Sequence, residues 1–94
     1  MNDVPASPKR PSEEAMEAAI LEIAAGAPKT IMPEDAARTL AGEADWHSLL
    51  PMVRRCAIRL AKDGRIVIYR KGKPVDPGDF RGVYRLGLPP ASPV

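Results

Sequence analysis

Seven cations in this 94-residue chain are spaced to meet a polyanion. Arg54, Arg55, Arg59 and Lys62 fall within one helical stretch, and Arg70, Lys71 and Lys73 crowd the turn that follows it. Guanidinium groups pair with phosphate oxygens in a planar fork and read guanine edges, while ammonium groups neutralise backbone charge. The chemistry these side chains offer is electrostatic recognition. Bond-making chemistry has no comparable set. The chain holds one cysteine, Cys56, and one histidine, His47, too few for a tetrahedral zinc site unless carboxylates converge on them. No glycine-rich phosphate loop, paired-carboxylate site or serine-histidine-aspartate set can be assembled. No catalytic residue, metal ligand or cofactor is therefore predicted, and the chain is not read as an enzyme. Asp76 and Asp79 flank Pro77-Gly78, where aspartates chiefly bond their own backbone, and they are assigned to loop geometry.

Positioning these cations falls to the stretch 46–73. Leu49, Val53, Cys56, Ala57 and Leu60 recur at helical spacing and mark a face packed on a core. The other side carries Arg54, Arg55, Ile58, Arg59 and Lys62 without an acid among them. Pro51 suits the first turn, and Gly64 supplies the left-handed residue that ends such a helix. A β-branched run, 65–70, then reads as a strand, and Lys71-Gly72-Lys73 as its turn.

Charge divides unevenly along the chain. The formal net charge is +2, yet residues 11–45 hold eight acids against Lys29 and Arg38, a balance of −6, while residues 46–73 hold eight cations against Asp63, a balance of +7. A polyanion would meet one basic side of a small body that is otherwise acidic. The competing reading has the two halves complement each other, with Arg55 and Arg59 paired to acids of the first two helices.

The remaining elements follow in order. Pro5, Pro8 and Pro11 exclude a packed element from residues 1–11, read as a disordered arm whose Lys9 and Arg10 could touch phosphate. Ser12 caps a first helix with Met16, Ala19, Ile20 and Ile23 inward, ending near Gly26 and Pro28. Lys29-Thr30-Ile31 is long enough only for a minimal strand. Met32-Pro33-Glu34-Asp35 opens a second helix that carries Ala36, Ala37 and Leu40 and stops near Gly42. Trp46 is assigned to the core or a hinge in preference to base stacking, and Asp45 to capping a turn through His47 and Ser48. The segment 71–82 reads as a long wing loop, Val83 to Leu86 as the return strand, and residues 89–94 as a disordered tail.

At 45% apolar and 4% aromatic, the core must be aliphatic, with Trp46, Tyr69, Phe80 and Tyr84 as its only large rings. One cysteine excludes an internal disulfide, and no apolar run is long enough to span a bilayer, which predicts a soluble cytoplasmic protein. The pattern predicts an α+β domain over 12–88: a winged helix-turn-helix of three helices and a small antiparallel sheet, with 29–31 as a third strand beside the terminal hairpin.

The residues KTIMPEDAARTL, then WHSLLPMVRR, then Gly64 to Ile66, then KGKPVDPG and GVYRL, resemble a small bacterial domain of unknown function with a winged-helix-like structure. That family's pattern has a threonine-isoleucine-x-proline helix start, a tryptophan ahead of a leucine-x-proline-x-valine-arginine helix, and a valine-aspartate-proline wing. The resemblance covers about residues 13–88 and implies a fold without an activity. Lys71 stands where a glutamine or similar polar residue is usual, which makes the wing more basic.

Two functions fit these residues. Nucleic acid, DNA foremost, would be bound through the third helix and the basic wing by Arg54, Arg55, Arg59, Lys62, Arg70, Lys71 and Lys73. Alternatively the same face serves a protein partner. Neither oligomeric state nor target is legible, and no membrane partner is expected.

Overall fold

The computed structural model describes residues 11–43 and 45–89. The expected N-terminal arm with Lys9 and Arg10, and the tail beyond Pro89, lie outside the described residues. Three helices and a three-stranded antiparallel sheet make up the rest.

Helix α1, Glu13–Gly26, begins where Ser12 Oγ accepts from the Ala15 amide at 3.0 Å, and Glu13 and Glu14 stand at its electropositive end. It buries Met16, Ala19, Ile20 and Ala24, while Ile23 is only half-buried. Helix α2, Pro33–Ala41, starts on a proline and is tied by a reciprocal pair of bonds: the Asp35 amide donates to the Met32 carbonyl, and the Met32 amide to Asp35 Oδ2, both at 2.9 Å. A 3-10 turn, Trp46–Leu49, precedes α3, Leu50–Lys62. The turn is held through the backbone carbonyl of Asp45, which accepts from Ser48 Oγ at 2.9 Å, and not through the Asp45 carboxylate as expected.

The anticipated packing face is buried throughout: Leu49 at the end of the 3-10 turn, and Val53, Cys56, Ala57 and Leu60 on α3. Gly64, at φ +79°, reverses the chain, and the Arg65 amide closes the helix end on the Leu60 carbonyl at 2.9 Å. The strand that follows is shorter than predicted. β1 is Val67–Arg70, preceded by the buried Ile66.

The segment 71–82, read as a long wing loop, departs most from expectation. β1 turns at once into β2, Lys73–Pro74, through a two-residue turn in which Lys71 (φ 53°) and Gly72 (φ 81°) are both left-handed, the geometry that matches strand twist in a tight hairpin. The return strand β3, Arg85–Gly87, pairs with the other edge of β1, giving the order β2-β1-β3 with Ile68 opposite Leu86. The expected 29–31 strand contracts to a single bridge, Ile31 with Leu86 on the free edge of β3. Val83, expected in the return strand behind the core, lies outside β3 and is 75% exposed; its neighbour Tyr84 and then Leu86 face inward instead.

Between β2 and β3 the loop folds back over α3. Asp76 shapes it as predicted, its Oδ1 accepting from the Gly78 amide at 2.9 Å. Phe80 and Tyr84 are buried and meet edge to face at 5.1 Å between centroids. Aliphatic side chains from the three helices and the sheet, joined by these two rings, form one core.

Candidate nucleic-acid interface

The seven candidate cations fall into three groups. Arg55, Arg59 and Lys62 stand on α3 at i, i+4 and i+7 spacing, so they form one ridge running up the helix. All three are exposed. The ridge borders α1, whose first two turns present Glu13 and Glu17. Arg55 Nη2 lies 3.0 Å from Glu13 Oε2, Arg59 Nη2 2.9 Å from Glu13 Oε1, and Arg59 Nη1 2.8 Å from Glu17 Oε2. One carboxylate thus bridges two guanidiniums, and a second holds the outer one. The hydrogen bond from Arg55, then that from Arg59, keeps the Glu13 carboxyl below its usual range, and the Glu13 hydrogen bond, with the Glu17 charge, raises the pKa of Arg59. The arginine side chains are nevertheless 56% and 54% exposed.

Arg54 and Arg70 form the second group, and their partners are peptide carbonyls. Arg54 Nη2 donates to the Phe80 carbonyl at 2.8 Å, and its guanidinium lies 4.1 Å from the centre of the Phe80 ring. Arg70 Nε donates to the Val83 carbonyl at 3.0 Å. Beside it Gly82 is left-handed at φ +81°, a conformation that favours glycine, and a Cβ there would stand 2.9 Å from Arg70 Nη2. Both arginines therefore pin the 75–84 loop to the body of the protein.

Lys71 and Lys73, the third group, sit at the β1–β2 turn and are exposed, and with Lys62 they make no ion pair among the described residues. Arg65, outside the predicted set, is exposed at the exit of α3. Ile58, placed by the helical period in the middle of the outer face, is half-buried and packs against the rim of the core.

Sequence reasoning named neither Glu13 and Glu17 as specific partners nor the loop carbonyls as acceptors. The charge division carried the first signal, since an acidic first half and a basic second half must meet somewhere in a small domain. A lone aromatic, Phe80, among Pro, Gly and Asp residues, with Gly82 two positions on, was the trace of the second.

The other singled-out residues are structural. Trp46 is half-buried against the core, stacked on His47 at 3.6 Å, with the Arg38 guanidinium 4.4 Å from its ring centre. Cys56 is buried, its thiol 3.6 Å from the Glu13 carbonyl, and desolvation, with the nearby Glu13 and Glu17 charges, pushes its pKa up to about 11. Such a thiol is unreactive near neutral pH.

A groove of about 540 Å3 opens on the loop side of α3, lined by Met32, Pro33, Leu50, Pro51, Val83 and Tyr84, with Glu34 and Arg54 as its charged members. Its size is that of a small-ligand or side-chain site. No helix among the described residues is long and apolar enough to cross a membrane.

No curated protein matches the chain. A family model spans residues 13–89, nearly the whole described region, and the chain belongs to the family described as "Protein of unknown function (DUF3253)".

Proposed function

We infer that this protein is a small non-enzymatic winged-helix protein that binds nucleic acid, duplex DNA in particular, through the outer ridge of α3 and the β1–β2 turn. The carrying observation is the ridge itself: Arg55, Arg59 and Lys62 in line on a helix with no acid of its own, all exposed to solvent. The element order supports the fold assignment, because β3 lies between β1 and the Ile31 bridge as the return strand of a winged helix does. Lys71 and Lys73 supply backbone contacts from the turn. Arg54 and Arg70 leave the binding set and become the residues that hold the wing in place.

Phosphate contacts of this kind dominate affinity and make it depend steeply on salt. Titration of a labelled mixed-sequence duplex at two salt concentrations tests the reading. Binding at low salt that weakens sharply as salt rises, with K62A/K71A/K73A flattening the salt slope by up to about three units, is the expected result. Absence of binding at low salt contradicts it.

A second reading, a protein-interaction module, is favoured by one feature: the apolar groove with Val83 exposed on its rim. On the first reading Val83 makes no contact with the duplex, so Val83→Glu weakens duplex affinity by no more than the effect of one exposed acid, a difference that shrinks as salt rises.

A further inference from the structure

Resting on the nucleic-acid reading, we propose that Glu13 and Glu17 are a built-in competitor for that ligand, occupying the guanidiniums of Arg55 and Arg59 until a phosphate-dense polyanion displaces them. The geometry is that of a substitute ligand. Glu13 offers its two oxygens to two different arginines at 3.0 and 2.9 Å, and Glu17 takes the remaining fork of Arg59 at 2.8 Å, much as neighbouring phosphate oxygens would. Both arginines remain more than half exposed while so engaged, so an incoming anion reaches them without the helices separating. The core beneath, to which α1 contributes Met16 and Ile20 and α3 contributes Val53 and Leu60, joins the two helices independently of the ion pairs.

This arrangement sets a threshold on charge density. An acidic peptide or a free anion gains little by exchanging one carboxylate for another on the same arginine. Duplex DNA carries one charge per about 1.7 Å of axis and releases condensed counterions when it binds, which more than offsets the loss of exposed ion pairs. The ligand class selected is a nucleic acid duplex, and carboxylate-rich partners are rejected. Lys62, Lys71 and Lys73, which make no ion pair among the described residues, make the first encounter.

The test compares duplex affinity of wild-type protein, E13Q/E17Q and a charge-matched control, E14Q/E22Q, whose exposed glutamates make no ion pair among the described residues. E13Q/E17Q is expected to bind about three- to tenfold tighter than wild type, the control to gain clearly less, and the gain to fall to the control's level in R55A/R59A/E13Q/E17Q relative to R55A/R59A. Polyglutamate is expected to bind E13Q/E17Q and not wild type. A gain no larger than the control's, an excess over the control that survives loss of both arginines, or equal binding of polyglutamate and duplex by wild type overturns the proposal. Duplex binding that is lost in K62A/K71A/K73A yet indifferent to E13Q/E17Q removes the competitor and keeps the interface, whereas no duplex binding by either protein removes both. Thermal melting accompanies each variant. If E13Q/E17Q fails to fold, E13Q alone, which retains an amide oxygen as acceptor, carries the same comparison.

Discussion

The two flanks of α3 use one residue type in two ways. On the α1 side, Arg55 and Arg59 meet carboxylates through exposed, solvent-screened ion pairs. On the loop side, Arg54 meets a peptide carbonyl and an aromatic face, and Arg70 from β1 repeats the carbonyl contact three residues further along the loop. A carboxylate partner is chemically replaceable by phosphate, so the first flank can exchange its ligand. A backbone carbonyl belongs to the fold, and in the part-buried Arg54 bond giving it up leaves the Phe80 acceptor unpaired. Partner chemistry, rather than position on the helix wheel, thus distinguishes the two flanks, and under the proposed function it separates a binding arginine from a structural one.

Both flanks stand on the same buried row, and breaking it has the largest expected effect. Leu60→Ala removes a fully buried side chain from a small core and should cost about 2–5 kcal/mol in chemical denaturation. An unchanged midpoint would mean that α3 is turned differently. Next comes Arg54→Ala, which loses the Phe80 carbonyl bond and the ring contact; a cost of about 1–3 kcal/mol is expected, with duplex affinity nearly intact. A stable variant with lost affinity would place Arg54 on the binding side of the comparison. The smallest effect is the acid response of the α1 flank. Glu13 titrates below its ordinary range in the folded protein, so its pairs contribute stability above the unfolded carboxyl pKa and lose it as pH falls through the folded one. Thermal stability should therefore drop as pH is taken through and below the carboxylate range, and E13Q/E17Q should lack that part of the drop. Because the pairs are exposed, added salt should shrink the difference.

Much of the frame was legible because it is local. The spacing of Leu49, Val53, Cys56, Ala57 and Leu60, the Ser12 cap, Pro33 at a helix start and the glycine after α3 each act within one or two turns of chain, where periodicity and capping rules apply. The same wheel placed Arg54, Arg55, Ile58, Arg59 and Lys62 on one outer face; Arg55, Arg59 and Lys62 are exposed there, whereas Arg54 is half-buried over Phe80 and Ile58 half-buried on the core rim. What it could not carry was which of them finds a partner, since Arg54 meets Phe80 across 26 positions and Arg55 meets Glu13 across 42. The wing failed for a related reason. Pro, Gly and Asp between 74 and 82 do forbid a strand interior, yet Phe80 and Tyr84 have too much apolar surface to leave in water, and burying them folds the loop onto α3. Strand 29–31 shrank to the Ile31 bridge because Pro28 and Pro33 leave little extended chain between two helices.

The most direct test of the account is the salt dependence of duplex binding by R55A/R59A, measured on samples whose melting curves show a folded protein. The account predicts a fold retained on the buried row, weaker binding, and a salt slope reduced by roughly one to two units relative to wild type. A folded R55A/R59A protein with wild-type affinity and slope would contradict it, and would leave α3 as a packing helix whose arginines only hold α1 in place.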